Sequence, residues 1–184
     1  MASNDLNGRT ALVIVTNYGV EQDELLAPVA HLRDHGATVD VAAATGEPVQ
    51  TLVGDKDPGE KVEPTTTLEA ADPSAYDLLV LPGGTLNADQ LRQNADAVAA
   101  VRSFTSTGRP IAAICHGPWT LIDAGVAKGR TLTSYPSLRI DLQNAGATVV
   151  DREVVIDGNV ISSRGPDDLP AFSSAVVDAL ARGA

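Results

Sequence analysis

Short apolar runs alternate along this chain with segments in which apolar residues recur every three or four positions. The run at residues 11–15 predicts a buried strand, and the helical spacing of residues 21–35 predicts a helix ending at Gly36. The same alternation predicts strands at residues 38–44, 77–81, 110–114 and 131–134, and helices at residues 89–93, 96–107, 117–124, 137–145 and 167–182. Alternating strands and helices indicate an α/β fold, a mostly parallel sheet with helices on both faces.

Two segments do not follow this alternation of strands and helices. Residues 45–76 are rich in Pro, Gly, Asp and Thr, and they predict only two short edge strands, near residues 50–53 and 61–63. Apolar runs at residues 154–156 and 160–163 flank an Asp-Gly turn, which predicts a β-hairpin. A chain of 184 residues with no visible repeat is expected to form a single domain over residues 1–184.

Three polar segments directly follow predicted strands. They are residues 17–21, the pair Gly83 and Gly84, and the pair Cys115 and His116. The carboxyl ends of parallel strands meet at one edge of a sheet, where α/β proteins bind their ligands. The three segments are therefore expected to share one crevice.

The only cysteine of the chain, Cys115, lies in the segment R-P-I-A-A-I-C-H-G-P-W. A strand, a nucleophile, a glycine two residues later and then a helix form the pattern of a nucleophile elbow. The N-terminus of the following helix favours a thiolate and so predicts a lowered thiol pKa. The alternative interpretation is a buried cysteine that only packs.

The residues around this cysteine supply candidate proton carriers. His116 is interpreted as a base, the alternative being that it packs or lends only its N–H group. Glu21 is the candidate carboxyl group facing Cys115 because it lies nearest the strand end. Acidic residues are also common at helix N-termini, and spacing leaves Asp23 and Glu24 open for the same role.

Gly83 and Gly84 follow a buried strand and a proline. They are candidates for backbone N–H groups that bind a developing oxyanion, and the alternative is a flexible turn.

Composition narrows the range of partners and locations. A net charge of −11 argues against binding to nucleic acid or to an anionic membrane. One cysteine forms no internal disulfide, and the N-terminal sequence has no apolar leader, so a cytoplasmic location is expected. His31 and His35 are spaced i, i+4, but no second ligand pair accompanies them, so no metal site is expected.

Several motifs along nearly the whole chain resemble those of one protein family. The sequence is similar to members of the ThiJ/PfpI superfamily, in its PfpI-type intracellular protease branch. The resemblance rests on the segments G-V-E-Q-D-E-L-L-A-P, D-L-L-V-L-P-G-G, A-D-Q-L-R, A-I-C-H-G-P-W, T-S-Y-P-S-L-R-I-D-L-Q-N-A-G-A and I-S-S-R-G-P-D-D-L-P-A-F.

The resemblance implies a flavodoxin-like three-layer sandwich and a set of site residues. Cys115 would be the nucleophile, Glu21 the acid beside it and His116 its partner. A third acid would come from a neighbouring subunit, with Asp89 as the nearest match, and Tyr135 would line the site. The resemblance also implies a homodimer, or a hexamer built from dimers, and no cofactor.

The family resemblance implies a cysteine-dependent stress enzyme that acts on reactive carbonyls, as a glyoxalase III or a protein deglycase. Its substrate would be a small reactive carbonyl compound, a glycated protein or a peptide. An intracellular cysteine peptidase or amidase is one alternative, and a non-catalytic redox sensor or chaperone is another. The fold is related to class I glutamine amidotransferases, but no histidine lies after His116, which excludes a glutaminase triad.

Overall fold

A computed structural model describes residues 5–183 of the chain. Its strands are β1 (Thr10–Ile14), β2 (Tyr18–Glu21), β3 (Thr38–Ala43), β4 (Val49–Val53), β5 (Asp57–Val62), β6 (Thr66–Thr67), β7 (Leu78–Leu81), β8 (Ile111–Ile114), β9 (Thr131–Leu132), β10 (Thr148–Val149), β11 (Val154–Asp157) and β12 (Val160–Ser163). Its α-helices are α1 (Gln22–Asp34), α2 (Thr85–Leu91), α3 (Ala95–Thr107), α4 (Pro118–Asp123), α5 (Arg139–Asn144) and α6 (Leu169–Arg182).

The main sheet has seven strands in the order β11-β12-β8-β7-β1-β3-β6. All neighbouring pairs are parallel except the hairpin of β11 and β12. In the centre, Val13 of β1 is in register with Val41 of β3 and Val80 of β7. The residues of β7 and β8 are all buried, as expected for strands covered on both faces. The mostly parallel sheet is therefore confirmed.

Side chains of each strand alternate between two hydrophobic cores, one on each face of the sheet. Along β1, Val13 enters one core, whereas Leu12 and Ile14 enter the other. Helices α1 and α6 cover the first core, and their contributions include Leu25, Val29, Leu32, Phe172, Val176 and Leu180. Helices α3, α4 and α5 cover the second core, with Val101, Phe104, Leu121 and Leu142. This arrangement confirms the three-layer sandwich with helices on both faces.

A second, three-stranded sheet in the order β2-β4-β5 lies beside the main one. Strand β2 was not expected, because its four residues were assigned to a loop and to the first turn of the following helix. Its pairing partner β4 begins 28 residues after it ends, so short-range periodicity contains no signal for it.

Helix α2 begins at Thr85, four residues before the expected start at residue 89. The carboxylate of Asp55 accepts a hydrogen bond from the Thr85 N–H group at 2.7 Å and so caps the helix from a distant loop. No helix within residues 5–183 is long and apolar enough to cross a membrane.

Candidate active site

Cys115 lies at the turn between β8 and α4, and its backbone is left-handed with a φ of 60°. A non-glycine residue in this region is uncommon and marks a constrained backbone. The Cys115 N–H group donates to the carbonyl of Ser163, and the Cys115 carbonyl accepts from the Tyr135 N–H group, both at 3.0 Å. A Cβ atom at Gly117 would overlap the carbonyl of Leu81, so the turn needs glycine there. The tight turn from strand to helix that was expected at this cysteine is confirmed.

The carboxyl group beside the thiol belongs to Glu24 of α1. Glu24 is fully buried, and its Oε2 accepts a hydrogen bond of 2.8 Å from the Gly83 N–H group. A Cβ atom at Gly83 would lie 2.5 Å from that oxygen and 2.7 Å from Cys115 Cβ. Glycine at this position therefore lets the carboxyl group approach the thiol closely enough for each group to influence the pKa of the other.

Glu21 was expected beside the thiol, and this expectation is corrected. Its carboxylate points to the turn between β4 and β5, where Oε1 accepts from Gly54 N–H and Oε2 from Asp55 N–H, each at 3.0 Å. The physical reason is that Glu21 is the last residue of strand β2, whereas Glu24 lies almost one helical turn further on, on the inward face of α1.

The thiol and the Glu24 carboxyl group form a coupled buried pair. Burial raises the pKa of Glu24 to about 8. Burial, and then the negative charge of Glu24, also raise the pKa of the Cys115 thiol. Hydrogen bonds from the N–H groups of Gly84 and His116 lower that thiol pKa only in part. The expected lowered thiol pKa is therefore wrong for the free site, in which the two groups titrate together.

The backbone donors near the sulfur differ from those expected. The Gly83 N–H group is occupied by Glu24, which leaves the N–H groups of Gly84 and His116 directed at the sulfur. Gly84 has a φ of 81°, and a Cβ atom there would overlap the carbonyl of Gly19. The two glycines of the pair therefore differ in their contacts: the N–H group of Gly83 binds the Glu24 carboxyl group, and that of Gly84 is directed at the sulfur.

The imidazole of His116 also contacts the thiol. Its Nδ1 atom is 3.2 Å from Cys115 Sγ, and its Nε2 atom is 3.2 Å from Ser137 Oγ and 3.4 Å from Thr85 Oγ1. The ring stacks on Tyr135 at a centroid distance of 4.7 Å. Burial lowers the pKa of His116, so the ring is neutral at physiological pH and can accept a proton.

Tyr135 and Asp89 occupy very different positions. The Tyr135 side chain is half exposed, stacks on His116, and lines a cavity of about 300 Å³ together with Arg139 and Arg164. Asp89 is exposed on α2 and has no hydrogen bond to any site residue of the described chain. Its expected contribution across a subunit interface stays a prediction.

The sequence left Glu24 open as an alternative to Glu21, and it did not identify Asp55, Thr85 or Ser137 as members of the site. For Glu24 a signal was present, because it shares a helical face with the buried residues Leu25, Pro28 and Leu32, whereas Asp23 is exposed. A carboxylate on the apolar face of a helix is unusual and indicates a special role. The other three have no comparable local signal, because only the folded chain brings them to His116.

Comparison with known proteins places this architecture in a family. Residues 9–179 match the profile of the DJ-1/PfpI family. The chain belongs to the DJ-1/PfpI family. A protein named as a deglycase in Pyrococcus horikoshii is 41% identical over 161 residues, which cover 88% of this chain and 93% of that protein. General stress protein 18 of Bacillus subtilis is 36% identical, covering 88% of this chain and 92% of the relative.

A solved DJ-1/PfpI structure has the same fold. The crystal structure of DJ-1beta from Drosophila melanogaster superposes with a TM-score of 0.86 at 36% sequence identity, covering 94% of this chain and 90% of that one. This agreement confirms the flavodoxin-like α/β fold of the DJ-1/PfpI family for the present chain.

Proposed function

We propose that this protein is a cysteine-dependent enzyme that uses no cofactor and acts on small reactive carbonyl compounds or on their adducts with proteins. The observation that carries the proposal is the position of Cys115, on a constrained elbow between the carboxyl group of Glu24 and the imidazole of His116. Two of its relatives are named as a deglycase and as a general stress protein, and these names support the proposed activity.

The first step of the proposed reaction is the addition of sulfur to an aldehyde. The Cys115 sulfur forms a bond to the aldehyde carbon of a compound such as methylglyoxal, and the thiol proton passes to Glu24 or to Nδ1 of His116. The N–H groups of Gly84 and His116 would stabilise the oxyanion of the resulting hemithioacetal. Because the pKa of Glu24 is raised to about 8, its carboxyl group can take up and release a proton near neutral pH.

Two further steps would complete the reaction. The hydrogen on the former aldehyde carbon leaves as a proton to the base and returns to the neighbouring carbon, which converts the hemithioacetal into a lactoyl thioester. Water then cleaves the thioester, releases lactate and restores the thiol. The net change is the addition of one water molecule, so no oxidant or reductant is consumed. For a glycated amine, release of the amine from its adduct would precede the same sequence.

The proposal includes the location, the assembly and the partners of the enzyme. We propose a cytoplasmic homodimer, or a hexamer of dimers, in which Asp89 of one subunit approaches the site of another. Neither nucleic acid nor a membrane is proposed as a partner, because the net charge of −11 repels both kinds of anionic surface. Light scattering of the purified protein, compared with the mass of one chain, measures the assembly.

The experiment that tests the activity is lactate formation from methylglyoxal by purified protein, compared with Cys115→Ala. We expect lactate from the wild type only, at a rate unchanged by a metal chelator. Wild-type lactate no higher than in the variant would refute the proposal. Cleavage of peptide-aminomethylcoumarin substrates without lactate would support a peptidase instead. Oxidation of Cys115 by mild peroxide without any turnover would support a sensor.

A further inference from the structure

The turn between β4 and β5 brings a carboxylate close to the imidazole of His116. At its tip, Asp55 adopts a left-handed backbone with a φ of 57°. The Glu21 carboxylate holds the turn in place by accepting hydrogen bonds of 3.0 Å from the N–H groups of Gly54 and Asp55. The position of the Asp55 side chain is therefore defined by two charge-assisted hydrogen bonds to its own backbone and its neighbour's.

The Asp55 carboxylate binds both hydrogen-bond donors of Thr85. Oδ1 accepts from the Thr85 N–H group and Oδ2 accepts from the Thr85 hydroxyl group, each at 2.7 Å. A threonine hydroxyl has one proton to donate and two lone pairs. Because that proton is committed to Asp55, the Thr85 oxygen can only accept from any further neighbour.

The further neighbour is the Nε2 atom of His116, 3.4 Å from the Thr85 oxygen. An oxygen that can only accept requires that Nε2 carry the hydrogen. The Ser137 hydroxyl, 3.2 Å from the same nitrogen, can donate or accept and so does not decide between the two tautomers. Of the two hydroxyl groups near Nε2, only that of Thr85 therefore has a fixed direction.

We propose that Asp55 and Thr85 are positioning residues that hold neutral His116 as the Nε2–H tautomer, so that the Nδ1 lone pair faces the Cys115 thiol. Nδ1 lies 3.2 Å from Sγ and can take the thiol proton only in this tautomer. This inference rests on the proposed function only for its effect on turnover, because the tautomer can be measured without substrate.

The tautomer is measured by the ring ¹⁵N chemical shifts of His116 at a pH above 8, where the imidazole is neutral. The chain has three histidines, so His116→Gln assigns the signals. A Cys115→Ala background keeps proton exchange with the thiol from masking the result. We expect a pyrrole-type shift for Nε2 and a pyridine-type shift for Nδ1. A ring protonated mainly at Nδ1 would overturn the proposal.

Asp55→Asn gives the sharpest test because it changes one atom. The Thr85 N–H group still needs an acceptor, so the introduced amide oxygen faces it and the amide nitrogen donates to the Thr85 hydroxyl group. The hydroxyl proton is then free to donate to Nε2, and the Nδ1–H tautomer is expected to predominate. Asparagine tolerates the left-handed backbone of this position. A variant that retains the wild-type tautomer would refute the role of Asp55.

Two substitutions of Thr85 and one matched control complete the set. Thr85→Val removes the hydroxyl group at nearly constant volume and is expected to give a mixture of tautomers, whereas Thr85→Ser retains the wild-type state. Asp57→Asn makes the same chemical change at an exposed residue two positions from Asp55 and is expected to change nothing. Loss of the wild-type tautomer in Thr85→Ser or Asp57→Asn would indicate a general disturbance of the loop and refute the assignment.

Turnover provides the second readout. If the proposed carbonyl activity exists, Asp55→Asn and Thr85→Val lower kcat by about tenfold with KM within about twofold, and Thr85→Ser restores it. Unchanged kcat in both variants would show that the tautomer has no part in turnover. A wild type without carbonyl activity refutes the proposed function, while the ¹⁵N measurement still decides the tautomer.

Discussion

Glu21 and Glu24 are three residues apart and have the same side chain, yet their carboxyl groups have different partners and different surroundings. Glu21 uses both carboxylate oxygens to bind backbone N–H groups of a turn. Glu24 receives one N–H group, from Gly83, and faces a thiol in a fully buried site, where its pKa is raised to about 8.

The difference shows that the number of fixed donors determines what a buried carboxyl group is suited for. Two N–H donors satisfy a carboxylate in its ionised form and make it a structural anchor. One donor in a buried site stabilises the ionised form less well, so the pKa of the carboxyl group rises toward neutral pH. A carboxyl group with such a pKa can both accept and release a proton. Substitutions at three neighbouring acids, Glu21, Asp23 and Glu24, can therefore separate an anchor, a surface charge and a proton carrier.

The largest effect is expected for Glu24→Gln. The amide cannot accept the thiol proton, so kcat for lactate formation from methylglyoxal should fall by about 10²-fold. The same variant should also shift the rise in Cys115 alkylation by iodoacetamide to lower pH, because the charge of Glu24 that raises the thiol pKa is gone. Equal losses of kcat in Glu21→Gln and Glu24→Gln would remove the distinction between the two carboxyl groups.

The pH dependence of stability gives the next largest effect. Because folding raises the pKa of Glu24 from 4.5 to about 8, its contribution is fully present below pH 4.5 and is lost as the pH rises toward 8. The free energy of unfolding should therefore fall over this window by a few kcal/mol more in the wild type than in Glu24→Gln. Urea titrations of both proteins at several pH values measure the difference, and parallel curves would contradict this prediction.

A smaller effect on stability is expected for Glu21→Gln. The amide keeps one acceptor but directs an NH₂ group at one of the two turn N–H groups, which costs about 1–2 kcal/mol. Since the turn positions Asp55, kcat should fall by less than tenfold. Urea unfolding and steady-state kinetics check both values. A kcat loss as large as that of Glu24→Gln, with unchanged stability, would show that Glu21 acts directly in turnover.

The smallest effect is expected for Asp23→Asn, which serves as the control for the other two. Asp23 is exposed in the first turn of α1, where a negative charge interacts favourably with the helix dipole. The loss of stability should stay below about 0.5 kcal/mol, and kcat should change by less than twofold. A larger kinetic effect would point to a partner that the single chain does not contain.

The sequence was a good guide to the sheet and a poor one to the acid beside the thiol. Strands β1, β7 and β8 are continuous apolar runs, and Cys115 directly follows one of them, so periodicity was enough to place it at a strand end. The family resemblance then supported a reactive role for that cysteine.

Glu21 was selected because it lies nearest a strand end, which ignored the direction of its side chain. That direction depends on β2, a strand that exists only through pairing with β4 far along the chain. Asp55 and Thr85 are 30 residues apart, and their contact cannot be deduced from local patterns. Tertiary pairing therefore decides the details of the site that periodicity cannot reach.

Cys115 exposes only 4% of its surface, and this has a consequence for which reagents can reach the sulfur. For a thiol so enclosed, the size of a reagent limits the reaction before the electrophilicity of the reagent does. A slim reagent can reach the sulfur in the closed protein, whereas a bulky aromatic disulfide must wait for a local opening. Because the chain contains one cysteine, the labelling rate of each reagent, divided by its rate with a small free thiol, reports the access of that reagent to this sulfur alone.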